Sequence, residues 1–142
     1  MLSKVREIVN KYGTRDPFEL ADCLGVVTIT APLKDDTRGF YSYFKRNGII
    51  CIESSLSQKE SKFVCAHELG HFILHKTINS QVLKNTTLVN TNKYEIDANR
   101  FAVNLLISAE DIEEYKAYEY TVYQMARALG VSPEMMEMRL EK

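Results

Sequence analysis

The sequence predicts an α+β domain: two N-terminal helices, a small antiparallel sheet, then a helical remainder. Three observations carry that reading. Apolar residues recur at helical spacing before residue 25 and again after residue 57. β-branched and aromatic runs are confined to residues 26–52. Serine caps, each with an acid three residues on, open the later helices.

Residues 2–12 place Leu2, Val5, Ile8, Val9 and Tyr12 on one helical face, and Gly13 ends it. Asp16 is a good N-cap, Pro17 suits the first helical position, and Gly25 closes this second helix. Val26 to Thr30 reads as a strand. Phe40 to Lys45 and Ile49 to Ile52 read as two more, joined at Asn47-Gly48, the strongest short-range hairpin signal. Ser57 and Glu60 form a capping box that opens a helix to about His75. Residues 76–93 are polar and read as a long loop, either a substrate-recognition flap or a disordered loop. A helix follows from about Tyr94 to Ile107. Ser108 with Asp111 caps another, and Thr121 to Leu140 reads helix, Gly130–Pro133 turn, helix.

At 142 residues, the length fits one domain, with a core over 1–107 and a helical tail over 108–142. Eighteen Lys and Arg against nineteen Asp and Glu give a net charge of −1, which offers no electrostatic footing for nucleic acid or a membrane surface. The charged start, Ser3-Lys4-Val5-Arg6-Glu7, lacks the apolar stretch of a signal peptide. Cys23, Cys51 and Cys65 are odd in number, with no CxxC. These features predict a cytoplasmic protein whose thiols are small, reduced core residues.

The chemistry is concentrated in His67-Glu68-Leu69-Gly70-His71. Residues four apart share a helix face, so two imidazoles converge on one ion. Glu68 points to a neighbouring side, where it reaches a water on the ion and can take its proton. Such a pattern arises by chance in fewer than about 1 in 100 chains of this length. Phe63, Val64, Cys65, Ala66, Leu69, Phe72, Ile73 and Leu74 make the helix apolar nearly all round, so it is buried. Buried imidazoles and a carboxyl are costly unless paired or ligated. Zinc is the ion that His and Glu ligands favour in common usage. Gly70 costs about 1 kcal/mol relative to Ala inside a helix, so it marks a close backbone approach, beside the ion or in helix packing.

A third ligand must come from elsewhere. His75 lies eight residues from His67, about 12 Å along a helix, too far for one ion. In residues 94–106, Ala98, Phe101, Ala102, Leu105 and Leu106 form the buried stripe. Glu95 extends that stripe by one turn, while Asp97 sits at its edge. Glu95 is therefore the expected ligand and Asp97 the reserve, as ligand or as a hydrogen-bonding neighbour. Asn99, one turn after Glu95, is placed to hold a ligand His through a hydrogen bond. Further donors to a reacting carbonyl are sought among Tyr41, Tyr94 and Arg100, and a substrate strand beside residues 48–52.

The pairing of Ala66-His67-Glu68-Leu69-Gly70-His71 with Glu95-x-x-Ala98-Asn99-x-Phe101-Ala102-x-x-Leu105-Leu106 resembles the ImmA/IrrE family of metallopeptidases. The resemblance covers most of the chain. It implies a zincin-like core in which His67, His71 and Glu95 bind zinc and Glu68 is the catalytic base. It also implies an anti-repressor that cleaves a helix-turn-helix repressor of a prophage, mobile element or stress regulon. Where members commonly have a hydrophobic residue and Pro after the paired leucines, this chain has Ile107-Ser108.

Two other classes compete. Residues 123–139 look like a helix-turn-helix, but residues 108–142 carry eight acids and four bases, and Glu134 and Glu137 flank its would-be reading face. A phosphate backbone repels that surface, so the pair is structural or docks a protein. Its methionines read as adaptable packing. The second competitor is a metal-binding module that regulates by binding a repressor or DNA without turnover. Loss of the Glu in the motif would mark it, and Glu68 is present.

Overall fold

The computed structural model describes residues 1–75 and 91–141. Its helices are α1 Leu2–Tyr12, α2 Pro17–Cys23, α3 Gln58–His75, α4 Thr91–Leu106, α5 Ala109–Ala117, α6 Val122–Leu129 and α7 Pro133–Leu140. Its strands are β1 Val27–Ala31, β2 Gly39–Phe44 and β3 Asn47–Glu53. The α+β class holds. The helix starts follow their caps: Asp16 accepts from the Phe18 N–H at 2.9 Å, and Ser57 and Glu60 bond each other's backbones. Ser108 with Asp111, and Thr121 with Gln124, make two further reciprocal boxes. α4 begins three residues before its expected start, so 91–93 are helical. The rest of the expected loop, 76–90, lies outside the described residues.

The sheet is mixed rather than wholly antiparallel. The strand order is β1-β3-β2, with β1 parallel to β3 and β2 antiparallel to it. β3 takes the centre because it carries the most deeply buried side chains of the sheet, Ile50 and Ile52, both at 0% exposure. Strands buried on the core face and paired on both edges are apolar, whereas β1 turns Thr28 and Thr30 towards that face.

The hairpin turn also differs from expectation. It falls at Lys45-Arg46, with φ of 50° and 69°, and not at Asn47-Gly48. Two consecutive positive φ values in a two-residue loop give the type I′ twist. The register explains the shift: Tyr41 stands opposite Ile50 on the buried face. A turn centred on Asn47-Gly48 would set Lys45 against Ile50 instead. Core pairing outweighs local turn preference.

The main core joins α1, α2, the sheet, α3 and α4 through Val5, Leu20, Tyr41, Ile50, Ile52, Leu69, Phe101 and Leu105. A second cluster, Val103, Ile107, Ile112, Met125, Ala126 and Met136, packs the tail helices on the far side of α4. Phe63 and Leu106 touch both. The methionines are packing, as expected. Of the three thiols only Cys65 is in the core; Cys23 is exposed and Cys51 half-buried. Burial pushes the Cys65 thiol up to about 12, so it stays protonated.

Long cations satisfy helix-end carbonyls. Arg15 reaches the Asn104 and Leu105 carbonyls, Lys59 that of Ala128, and buried Arg139 that of Ile107 at 2.8 Å. No helix among the described residues is long and apolar enough to cross a membrane.

Candidate metal centre

α3 and α4 build the site between them. His67 and His71 lie one turn apart on α3, their rings edge-on with centroids 4.8 Å apart. Glu95, in the first half of α4, faces both. Its Oε2 lies 2.9 Å from His67 Nε2 and its Oε1 3.1 Å from His71 Nε2. One donor atom from each residue falls within 4.8 Å of the others, the one such group of three among the described residues. A tetrahedral zinc with bonds near 2.1 Å has ligand–ligand edges of about 3.4 Å, so the spacing suits one ion.

The hydrogen bonds around the rings favour a cation there. His67 Nδ1–H donates to the Asn99 side-chain oxygen at 2.7 Å, which turns Nε2 towards the Glu95 carboxylate. A proton on Nε2, or a metal ion in its place, satisfies both groups. Burial opposes charging of the His67 imidazole, but the Glu95 and Glu68 carboxylates outweigh it and raise its pKa. Glu95 is held well below the usual carboxylate range by its bonds to the two imidazoles. His71 Nδ1 is buried with no hydrogen-bond partner among the described residues, so whatever Nε2 binds sets its tautomer.

Glu68 lies beside this group without joining it. Its side chain is 8% exposed, and its Oε2 sits 3.9 Å from His67 Nε2. Burial pushes its pKa up, against the pull of the two histidines. A carboxyl of raised proton affinity, next to the centre and outside it, suits a proton acceptor.

Asp97 does not join the centre. Its carboxylate lies 3.6 Å from His75 Nε2, and the His75 ring packs edge-on against Tyr94 at 4.4 Å. Asp97 sits two residues, about 200° round the helix, from Glu95, so the two carboxylates diverge. His75 ends α3, where burial lowers its pKa. Arg100 turns away to Glu141.

His67, Glu68, His71, Glu95 and Asn99 form one wall of a cleft of about 770 Å³. Residues 32–35 and 37–42, Tyr41 among them, also line it. Tyr41, one of the expected donors, lines the cleft, but nothing local links the rest of residues 32–42 to the α3 motif. β3 is paired on both sides, so residues 48–52 cannot accept a further strand. The sheet edge on the cleft is β2.

Gly70 sets how closely α3 and α4 approach. A Cβ there would stand 3.1 Å from both Cα and O of Ala98 and 3.2 Å from Phe101 Cβ. Gly70→Ala gains about 1 kcal/mol of helix propensity. Overpacking against a backbone costs about 1–3 kcal/mol. α4 is also packed against α1 and α7, so it yields little and the cost prevails. Urea denaturation is expected to show a net loss of about 1 kcal/mol, and zinc titration a weaker site, because Glu95 moves with α4.

The family model described as IrrE N-terminal-like domain, a peptidase family, matches residues 21–141. The chain is 41% identical over 135 residues to "Uncharacterized immunity region protein 2" of Bacillus phage phi105, spanning 95% of this chain and 85% of that protein. It is 28% identical over 115 residues to "Metallopeptidase ImmA" of Bacillus subtilis (strain 168), spanning 81% of this chain and 68% of that one. Among solved structures, a "Mycobacterium tuberculosis transcriptional regulator" shares the fold, with a TM-score of 0.68 at 16% identity. That match covers 98% of this chain and 45% of the other, so the present chain spans less than half of that neighbour.

Proposed function

Because this chain belongs to the ImmA/IrrE-type metallopeptidase family, we propose that it is a zinc-dependent endopeptidase cleaving a helix-turn-helix repressor. His67, His71 and Glu95 are the metal ligands in this reading, a gluzincin-like set, and Glu68 is the base. One observation carries it: three donor atoms converge on one point of a cleft wall, and a buried carboxyl stands beside them outside the ligand set. A divalent ion held there by His67, His71 and Glu95 would supply Lewis-acid polarisation of a peptide carbonyl and acidify a water to near neutrality. Glu68 accepts the proton of the attacking water and returns it to the leaving amine. Asn99 holds the His67 ring with Nε2 towards the centre. The edge of β2, unpaired by any strand among the described residues, offers backbone groups to an extended peptide, which aligns the scissile bond along the cleft. The protein of phage phi105 is named for an immunity region, which supports a repressor as the substrate class.

The competing reading, a module that binds a repressor without turnover, has no use for a buried carboxyl beside the metal ligands. Co-expression with the helix-turn-helix repressors of the source element tests the choice. One repressor is expected to shorten to discrete fragments, with fragmentation blocked by a zinc chelator. Full-length repressor bound tightly, but uncut with zinc present, would favour the binding module.

A further inference from the structure

The tail presents an aromatic surface that the catalytic site does not use. α5 ends in a motif in which the Glu119 N–H bonds the Lys116 carbonyl and the Tyr120 N–H that of Tyr115. The Tyr115–Tyr120 ring stack, 5.3 Å between centroids, is the hydrophobic contact that closes such a motif. Tyr118 and Tyr123 are not explained that way: they are 60% and 72% exposed. Tyr118 leans on Tyr120 at 5.7 Å, and its hydroxyl donates to Glu114. Glu113, Glu114 and Glu119 are all exposed on the same helix end. Glu119 holds φ 57°, the left-handed position that Gly130 fills after α6.

We propose that the end of α5, where exposed Tyr118 leans on Tyr120 among the exposed acids Glu113, Glu114 and Glu119, is a docking surface for an Arg- and Lys-rich protein segment. Charge complementarity selects that occupant. Exposed tyrosine faces attract guanidinium and ammonium groups, and the neighbouring carboxylates pair with the same cations. The tail carries eight acids against four bases, while residues 1–107 carry eleven against fourteen, so the acidity is confined to this end. Nucleic acid is repelled here. Given the repressor reading above, on which this partner rests, the segment is the basic face with which the repressor holds DNA. Docking and DNA binding then exclude each other, so free repressor is engaged before bound repressor.

The test uses the full chain without metal and a fluorescent amphipathic helical peptide bearing six arginines on one face. Binding that weakens with salt is expected. Glu113→Gln/Glu119→Gly should weaken it about five- to tenfold. Glycine suits the left-handed position, so this variant folds. Tyr118→Ala leaves the charge intact and should also weaken it about twofold or more. Glu7→Gln/Asp22→Asn, on exposed acids elsewhere, should leave it unchanged. Absence of binding, equal losses in the control, or losses confined to the Glu variants would overturn the proposal. Glu68→Gln should bind the peptide like wild type, so loss of peptidase activity and loss of docking are read separately.

Discussion

Glu68→Gln is expected to bind zinc one to one, unfold no more easily than wild type, and cleave its substrate about 10²–10⁴-fold more slowly. The substitution conserves shape and removes only proton affinity. Glu68 is buried, and burial raises its pKa, so its charged form costs free energy in the fold. A neutral amide removes that cost, which places any stability change at zero or slightly positive. Glu68 also lies outside the proposed ligand set of His67, His71 and Glu95, so metal content should not fall. Thermal unfolding, metal analysis and a single-turnover cleavage assay on one preparation separate these quantities. Cleavage within tenfold of wild type would remove Glu68 from the base role and require another proton acceptor. Among the described residues the cleft offers no buried carboxyl besides Glu68 beside the three-ligand group.

What the sequence made legible follows from which interactions are local. The α3 box at Ser57–Glu60, the Asp16 cap and the Ser108 cap are contacts within three residues, and all three stand in the structure. His67 and His71 share a face by helical period alone. Glu95 was reachable because the α4 stripe fixes which side of that helix is buried. The remainder depends on contacts between distant segments. The turn moved from Asn47-Gly48 to Lys45-Arg46 because Tyr41 packs opposite Ile50, a choice made by the core. The parallel pairing of β1 and the edge position of β2 are properties of sheet order. The Asp97–His75 pair arises because α3 ends beside the start of α4, which neither helix announces separately.

Glu95→Ala is expected to cost at least about 100-fold in zinc affinity, since loss of an outer hydrogen-bond partner alone costs 10–100-fold at such sites. Metal-linked stability converts this into a thermal shift. Zinc at about 1,000 times its dissociation constant stabilises the wild type by about 4 kcal/mol, and a hundredfold weaker site forfeits about 2.7 kcal/mol of that. For a chain of this size the zinc-loaded variant should melt roughly 5–10 °C below zinc-loaded wild type. The zinc-free proteins should differ far less, because the Glu95 side chain is half exposed and its charge is screened. A ligand therefore separates from a merely structural residue by the difference between the two conditions. Asn99→Ala should show the same pattern at reduced size, through loss of the bond that orients His67. Asp97→Asn should leave zinc affinity unchanged, because its carboxylate faces His75. The reverse result, zinc lost with Asp97→Asn and kept with Glu95→Ala, would move the third ligand to Asp97 and require α4 to rotate by more than a quarter turn from the arrangement described.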